Sequence, residues 1–314
     1  MSDGSKRNGT RSDEAGAAAM KRRVAERGRA KIRAATMAAT NILPVARRDP
    51  VRAAFRPLNP YEYAVGLEPP PAAAGRETGP PNFIGVGVQK AGTSWWFAQL
   101  TRQSDIHNER GYRKERHFFD RFLYRSMTSA DIEAYARWFP RPSGMLAGEW
   151  TPEYMHFFWI PALIPRAAPD AKILVLLRDP IERYRSGLAH KRRDGTLVPK
   201  YTWGDEAFHR GLYGAQLRRL REFVPRDQIL VQQYERCCID PVGELRRTLA
   251  FIGAESSNLI GPFDRGVHVT VAPKPDLPPQ VRDALVDGYR DDLRLLLELH
   301  PDLDLSLWPN VGNL

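Results

Sequence analysis

Cysteine is almost missing from this 314-residue chain: there are two, Cys237 and Cys238, and they are neighbours. Adjacent cysteines bridge only with strain, so a disulfide framework is excluded and a reducing compartment fits. Long apolar runs are missing as well. No stretch approaches the roughly 18–20 residues that cross a bilayer as a helix, and the N-terminus has no apolar core of a signal peptide. A cytoplasmic location is therefore expected. The spacings HExxH and CxxC do not occur and the seven histidines are scattered, so no metal site is expected. Lysine is scarce, with 9 against 38 arginines, and alanine is abundant; this bias fits a GC-rich bacterial genome.

What is present is a basic N-terminus on an otherwise balanced chain. Residues 1–56 hold 14 Lys/Arg and 5 Asp/Glu, a net of +9, whereas the whole chain is +10, so residues 57–314 carry about +1. The high isoelectric point thus describes a tail. Residues 1–16 are small and polar. Residues 17–40 have helix-forming composition with many cations, and read either as a surface helix on an anionic membrane or nucleic acid, or as a solvated tail. Residues 66–81 are a Pro/Gly/Ala linker. Residues 1–81 are accordingly read as tail and linker, and 82–314 as the folded domain.

Short apolar segments at 83–88, 145–149, 172–177 and 229–233 alternate with helical patterns at 94–103, 129–138, 180–192, 211–224 and 240–252. KILVLL at 172–177 shows no polar alternation, as expected of a strand covered on both faces. This pattern predicts an α/β fold of three layers, a mostly parallel central sheet with helices on both faces. Ligands of such sheets bind beyond the carboxyl ends of the strands. A last helix at 278–299 places Val281, Leu285, Tyr289, Leu293 and Leu296–Leu297 at helical spacing, as a packing face.

Two segments at strand ends can hold anions. In FIGVGVQKAGTS (83–94) a strand runs into a small loop with Lys90 and Gly92, then a hydroxyl pair, Thr93–Ser94, opens a helix. Loop amides and a helix N-terminus suit a phosphate, and the lysine adds charge. The loop is not the GxxxxGK[ST] of nucleoside triphosphatases, because Lys90 precedes Gly92. In LLRDPIERYRSGLAH (176–190) a buried strand ends at Arg178, Asp179 is a good N-cap, and Pro180 fits the first helical position. Ser186 lies about two turns into that helix. Arg178 and Ser186 can bind a dianionic phosphate; equally, Arg178 can pair with a nearby carboxylate while Ser186 packs.

With these two segments the chain resembles the sulfotransferases that use 3′-phosphoadenosine 5′-phosphosulfate (PAPS), nearest the heparan sulfate N- and 3-O-sulfotransferase branch and its bacterial relatives, over about 82–300. The resemblance implies a P-loop-like fold. It implies that Lys90, Ala91, Gly92, Thr93 and Ser94 hold the 5′-phosphosulfate and that Arg178 and Ser186 hold the 3′-phosphate. It extends to YRKERHFFD (112–120), where Glu115 matches the family's catalytic base and His117 a neighbour that orients it or shares its proton. Burial can raise such a carboxylate toward useful basicity. Phe118–Phe119 read as core. GEWTPEYM (148–155) parallels a GEKTPxY-like segment, but Trp150 stands where heparan relatives often carry a lysine; it can stack on an acceptor or pack internally. Glu149 and Glu153 are candidate acceptor-site carboxylates.

The implied reaction moves a sulfuryl group from PAPS to a hydroxyl or amine of a glycan or small-molecule acceptor. Lys90 stabilises the leaving phosphate and Glu115 takes the proton, with no metal and no specific nucleic acid partner. A P-loop kinase or NTPase and a basic-tailed nucleic-acid binder are the rival readings.

Overall fold

The structure is a computed structural model that describes residues 69, 71–108, 114–193, 206–254, 258–263 and 274–312. The chain divides into two units, Met1–Glu62 and Tyr63–Leu314; the described residues all belong to the second. The basic tail read at 1–56 lies outside them.

Four strands form one parallel sheet: β1 (Phe83–Gly87), β2 (Gly148–Trp150), β3 (Lys172–Leu177) and β4 (Ile229–Gln233), in the spatial order β2-β1-β3-β4. Every residue of β1 and all but the first of β3 are buried, as strands covered on both faces require. Helix α1 (Thr93–Thr101) leads leftward from β1 toward β2, and α4 (Pro180–Arg193) and α5 (Tyr213–Arg221) lead rightward from β3 toward β4. Right-handed crossovers in opposite directions put these helices on opposite faces. The reversal lies between β1 and β3, the switch point at which sheets of this kind offer a ligand crevice at their carboxyl ends.

The remaining helices close the layers: α2 (Ser129–Ala136), the short α3 (Ile164–Ala167) and α6 (Tyr234–Ile239), α7 (Pro241–Ile252) and α8 (Pro279–Leu299). Helix α7 packs on α1, and α8 on α4 and α5. Asp292 of α8 accepts from the backbone N–H groups of Gly214 and Ala215 at 2.8 Å each, so the first turn of α5 finds its partners on a neighbouring helix. Leu285, Tyr289, Leu293 and Leu296 form the buried stripe of α8, while Val281 stays exposed. Within the Pro/Gly-rich segment, Glu77 and Arg141 exchange two backbone hydrogen bonds, at 3.0 and 2.9 Å.

Candidate active site

Two strand ends and one crossing segment build the site. After β1 the chain turns through residues 88–92. Val88 donates to the Leu176 carbonyl at 3.0 Å, tying the loop to β3. Gly92 adopts φ +83°, and an added Cβ would fall 2.5 Å from the Tyr234 ring; both facts demand glycine. The Gly92 carbonyl accepts from Trp96 at 3.1 Å and starts α1, whose N-terminus has no side-chain cap and no acid in its first turn. Thr93 and Ser94 therefore open a helix end that can receive an anion.

The β3 end lies beside it. Asp179 accepts from the N–H groups of Ile181 and Glu182 at 2.9 and 3.1 Å, the N-cap expected from its position before Pro180. The Arg178 guanidinium donates to the Lys90 carbonyl at 3.1 Å, stacks over Tyr234 at 4.8 Å, and stands 3.8 Å from Glu182. Glu182 is further bound by Lys274 at 2.6 Å and Arg185 at 2.7 Å. Ser186 is buried two turns into α4. The C-terminal segment braces this turn from behind: Trp308 donates to Glu235 at 2.9 Å, Glu235 accepts from the Asp179 N–H at 3.1 Å, and the Asn310 amide reaches Asp179 at 2.9 Å.

The third part, residues 114–118, crosses the carboxyl end of β2, where the GEWTPEY segment fixes its backbone. The Trp150 N–H donates to the Lys114 carbonyl at 3.1 Å. The Arg116 N–H meets Glu149 at 3.2 Å and Thr151 at 3.0 Å, and the Phe118 N–H meets the Tyr154 hydroxyl at 2.9 Å. Glu149 is fully buried. Burial pushes its carboxyl up, and bonds from Tyr135 at 2.6 Å and Thr151 at 2.7 Å oppose that. It is a structural anchor and not the acceptor-site carboxylate the sequence offered. Trp150 is fully buried too, opposite Gly85 of β1, and its indole N–H donates to the Gly87 carbonyl at 3.2 Å. It packs in the core, so stacking on an acceptor is ruled out. Phe118 and Phe119 are core, as expected.

On this frame Glu115 and His117 come together, with Nε2 of His117 3.4 Å from the carboxylate. His117 Nδ1 faces Asp120 at 2.8 Å and Glu153 at 3.9 Å. Burial would lower the imidazole, but the hydrogen bonds it donates to Asp120 and Glu115 and the surrounding negative charge outweigh it and lift His117 to about 10. It is an imidazolium at neutral pH. Burial would likewise raise Glu115; hydrogen bonds and charge from His117 and Lys114 win and hold it at about 2. The expectation that burial raises this carboxyl is thus reversed by its neighbours. Glu153 pairs with Arg210 at 2.8 Å and accepts from Gln89 of the loop at 3.3 Å. One donor atom each from His117, Asp120 and Glu153 lie within 4.8 Å of one another, and protein cations already balance this negative charge.

The sequence reading missed Lys114, whose ammonium lies 3.1 and 3.0 Å from the Thr93 and Ser94 hydroxyls and 3.0 Å from Glu115. Its place beside Glu115 was the available signal. Asp120, Arg210 and Tyr234 were missed as well; the position of Asp120, three residues after His117, hints at its bond, whereas Arg210 and Tyr234 carry no local sign. The loop sought near 265–275 lies largely outside the described residues, although Lys274 is seen on Glu182. Among the described residues no helix is long and apolar enough to cross a membrane.

Comparison with known proteins bears on the family and the fold. Mouse heparan sulfate glucosamine 3-O-sulfotransferase 3B1 is 30% identical over 190 residues, covering 55% of this chain and 46% of the mouse protein. Human heparan sulfate glucosamine 3-O-sulfotransferase 6 is 29% identical over 188 residues, covering 55% and 52%. The chain thus spans about half the length of the curated relatives it matches. The crystal structure of a sulfotransferase from Alicyclobacillus acidocaldarius is 25% identical, with a TM-score of 0.59 over 73% of this chain and 98% of that one. Residues 89–258, more than half of the chain, match the family model described as "Sulfotransferase family", and the protein belongs to that family.

Proposed function

We propose that the protein transfers a sulfuryl group from PAPS to a hydroxyl or amine of a glycan or small-molecule acceptor. The observation that carries this reading is the 3.1 Å bond between Arg178 and the Lys90 carbonyl. It sets two anion-accepting segments side by side at the crevice between β1 and β3, which suits a nucleotide phosphorylated at both ends. The uncapped start of α1 and the close fit of Gly92 under Tyr234 agree with an anion held against loop backbone.

PAPS supplies the activated sulfuryl group. In this reading the amides of residues 90–94 and the Thr93 and Ser94 hydroxyls hold its 5′-phosphate, and Lys90 offsets charge on the leaving oxygen. Arg178 and Ser186 hold the 3′-phosphate. Glu115 accepts the acceptor's proton, and the His117 imidazolium, fixed by Asp120, orients that carboxylate.

The test is calorimetric binding of 3′-phosphoadenosine 5′-phosphate (PAP). Wild type should bind it better than ATP–Mg²⁺, and Lys90→Ala and Arg178→Ala should each lose about 10–100-fold, the worth of one charge-assisted hydrogen bond. Glu115→Gln should bind PAP normally while turnover collapses. Unchanged affinity in both cation variants, or preference for ATP–Mg²⁺, refutes the assignment and favours a P-loop-type kinase.

A further inference from the structure

We propose that Lys114 is a catalytic residue whose ammonium contacts the sulfonate of the bound donor, between the loop that holds the donor and the carboxylate that takes the acceptor's proton. This rests on the PAPS reading and gives a role to the lysine of the YRKERHFFD segment, which that reading leaves without one.

Position is the first argument. The Lys114 Nζ touches both hydroxyls at the start of α1, Thr93 at 3.1 Å and Ser94 at 3.0 Å, and also Glu115 at 3.0 Å. A sulfuryl group travelling from a phosphate on α1 to an oxygen deprotonated by Glu115 has to pass this ammonium. An ammonium has three donors and no acceptor. By donating to the two hydroxyl oxygens it leaves their O–H hydrogens to point at an anion.

Supply is the second. Four lysine side chains are described: Lys90, Lys114, Lys172 and Lys274. Lys172 starts β3, at the opposite end of the strands, against Phe251, and Lys274 is bound to Glu182. The end of β2 contributes an indole packed in the core, and the Arg116 guanidinium lies over the Trp138 and Phe139 rings at 5.1 and 5.7 Å. Among the described lysines, Lys114 and Lys90 stand at the carboxyl ends of the strands, and Lys114 is the one beside Glu115.

Cost is the third. The Lys114 side chain is 15% exposed, and burial lowers its affinity for the proton despite Glu115 beside it. Two neutral hydroxyls and one partly exposed carboxylate compensate a buried ammonium poorly; a donor anion completes the set. As the ammonium turns toward that anion, Glu115 loses one of the two cations that suppress its basicity, and His117 remains.

The step balances without further reagents. The bond from sulfur to the 5′-phosphate oxygen breaks with its electron pair going to PAP. The bond from sulfur to the acceptor's oxygen or nitrogen forms, and the acceptor's proton goes to Glu115. Lys114 exchanges no proton; it offsets charge on the sulfonate oxygens in flight.

The experiment compares wild type with Lys114→Met and Lys114→Ala by PAP calorimetry, thermal melting and steady-state turnover of PAPS. PAP lacks the sulfonate, so its affinity should stay within about threefold while kcat falls about 10²–10³-fold. The acid limb of the kcat/KM profile should move up toward the ordinary glutamate range, and ethylammonium should restore part of the Lys114→Ala rate. Retained kcat overturns the proposal. Parallel loss of PAP binding also overturns it, by making Lys114 part of the phosphate cradle. Wild type that binds no PAP overturns the donor reading itself, a result that the Lys114 variants do not affect.

Discussion

Gly92→Ala is the sharpest test of how the loop is held. The backbone there is left-handed at φ +83°, which costs an alanine about 1–2 kcal/mol. The new Cβ would also sit 2.5 and 2.6 Å from two carbons of the Tyr234 ring. That ring cannot swing aside freely, since Trp95 meets it edge-on at 6.0 Å and Arg178 lies over it at 4.8 Å. Overpacking of this kind costs about 1–3 kcal/mol, for a total near 2–5 kcal/mol. At about 2–4 °C per kcal/mol for a domain of this size, the melting midpoint should fall by roughly 4–20 °C. PAP affinity should fall about 10–100-fold as Arg178 is displaced. In a Tyr234→Ala background the same change should cost only the backbone strain, leaving a coupling of about 1–3 kcal/mol by urea melts. Equal costs in the two backgrounds would refute the contact, and unchanged melting would refute the conformation as well.

Two further outcomes are expected. Trp150→Lys, which sets an ammonium into a packed core opposite Gly85, should cost about 4 kcal/mol or more in urea midpoint measurements and give no gain in turnover; a stable and faster variant would show that the side chain reaches the crevice. His117→Gln tests the ion cluster through pH. His117 rises from an ordinary 6.5 to about 10 on folding, so its stabilisation is complete below about 6.5 and disappears as pH climbs through 10. The stability gap between wild type and variant should therefore be widest near pH 6 and close toward pH 10, and a gap that widens with pH would contradict the assignment.

Much of the scaffold was legible because its signals are local. KILVLL and ILVQQ are strands at the residues expected, 172–177 and 229–233, since an unbroken apolar run bounded by turns has few other uses in an α/β chain. Asp179–Pro180 announced the start of α4 for a similar reason. The second strand slipped, from 145–149 to Gly148–Trp150. Met145 instead closes a turn on Pro142 and Leu146 bridges to Ile106, choices made by distant backbone that hydrophobicity does not encode. The fate of Trp150 was hidden likewise, because it depends on the missing side chain of Gly85 across the sheet.

The electrostatics of the site show most clearly what a sequence withholds. Lys114, Glu115, His117 and Asp120 stand within seven residues, so their presence near one another needed no structure. Their order in space did. If burial alone acted, Glu115 would be a stronger base than a free glutamate; with an ammonium at 3.0 Å and an imidazolium at 3.4 Å it is a weaker one. A carboxylate held at about 2 is a poor acceptor of an alcohol's proton until one of those cations is engaged elsewhere. His117 is fixed by Asp120 at 2.8 Å and cannot leave without breaking that pair, whereas Lys114 already shares its donors with two hydroxyls at the start of α1. The cation able to change partners is the lysine, so on the proposed reading a bound donor would draw Lys114 away and relieve part of the restraint on Glu115, while His117 keeps the rest.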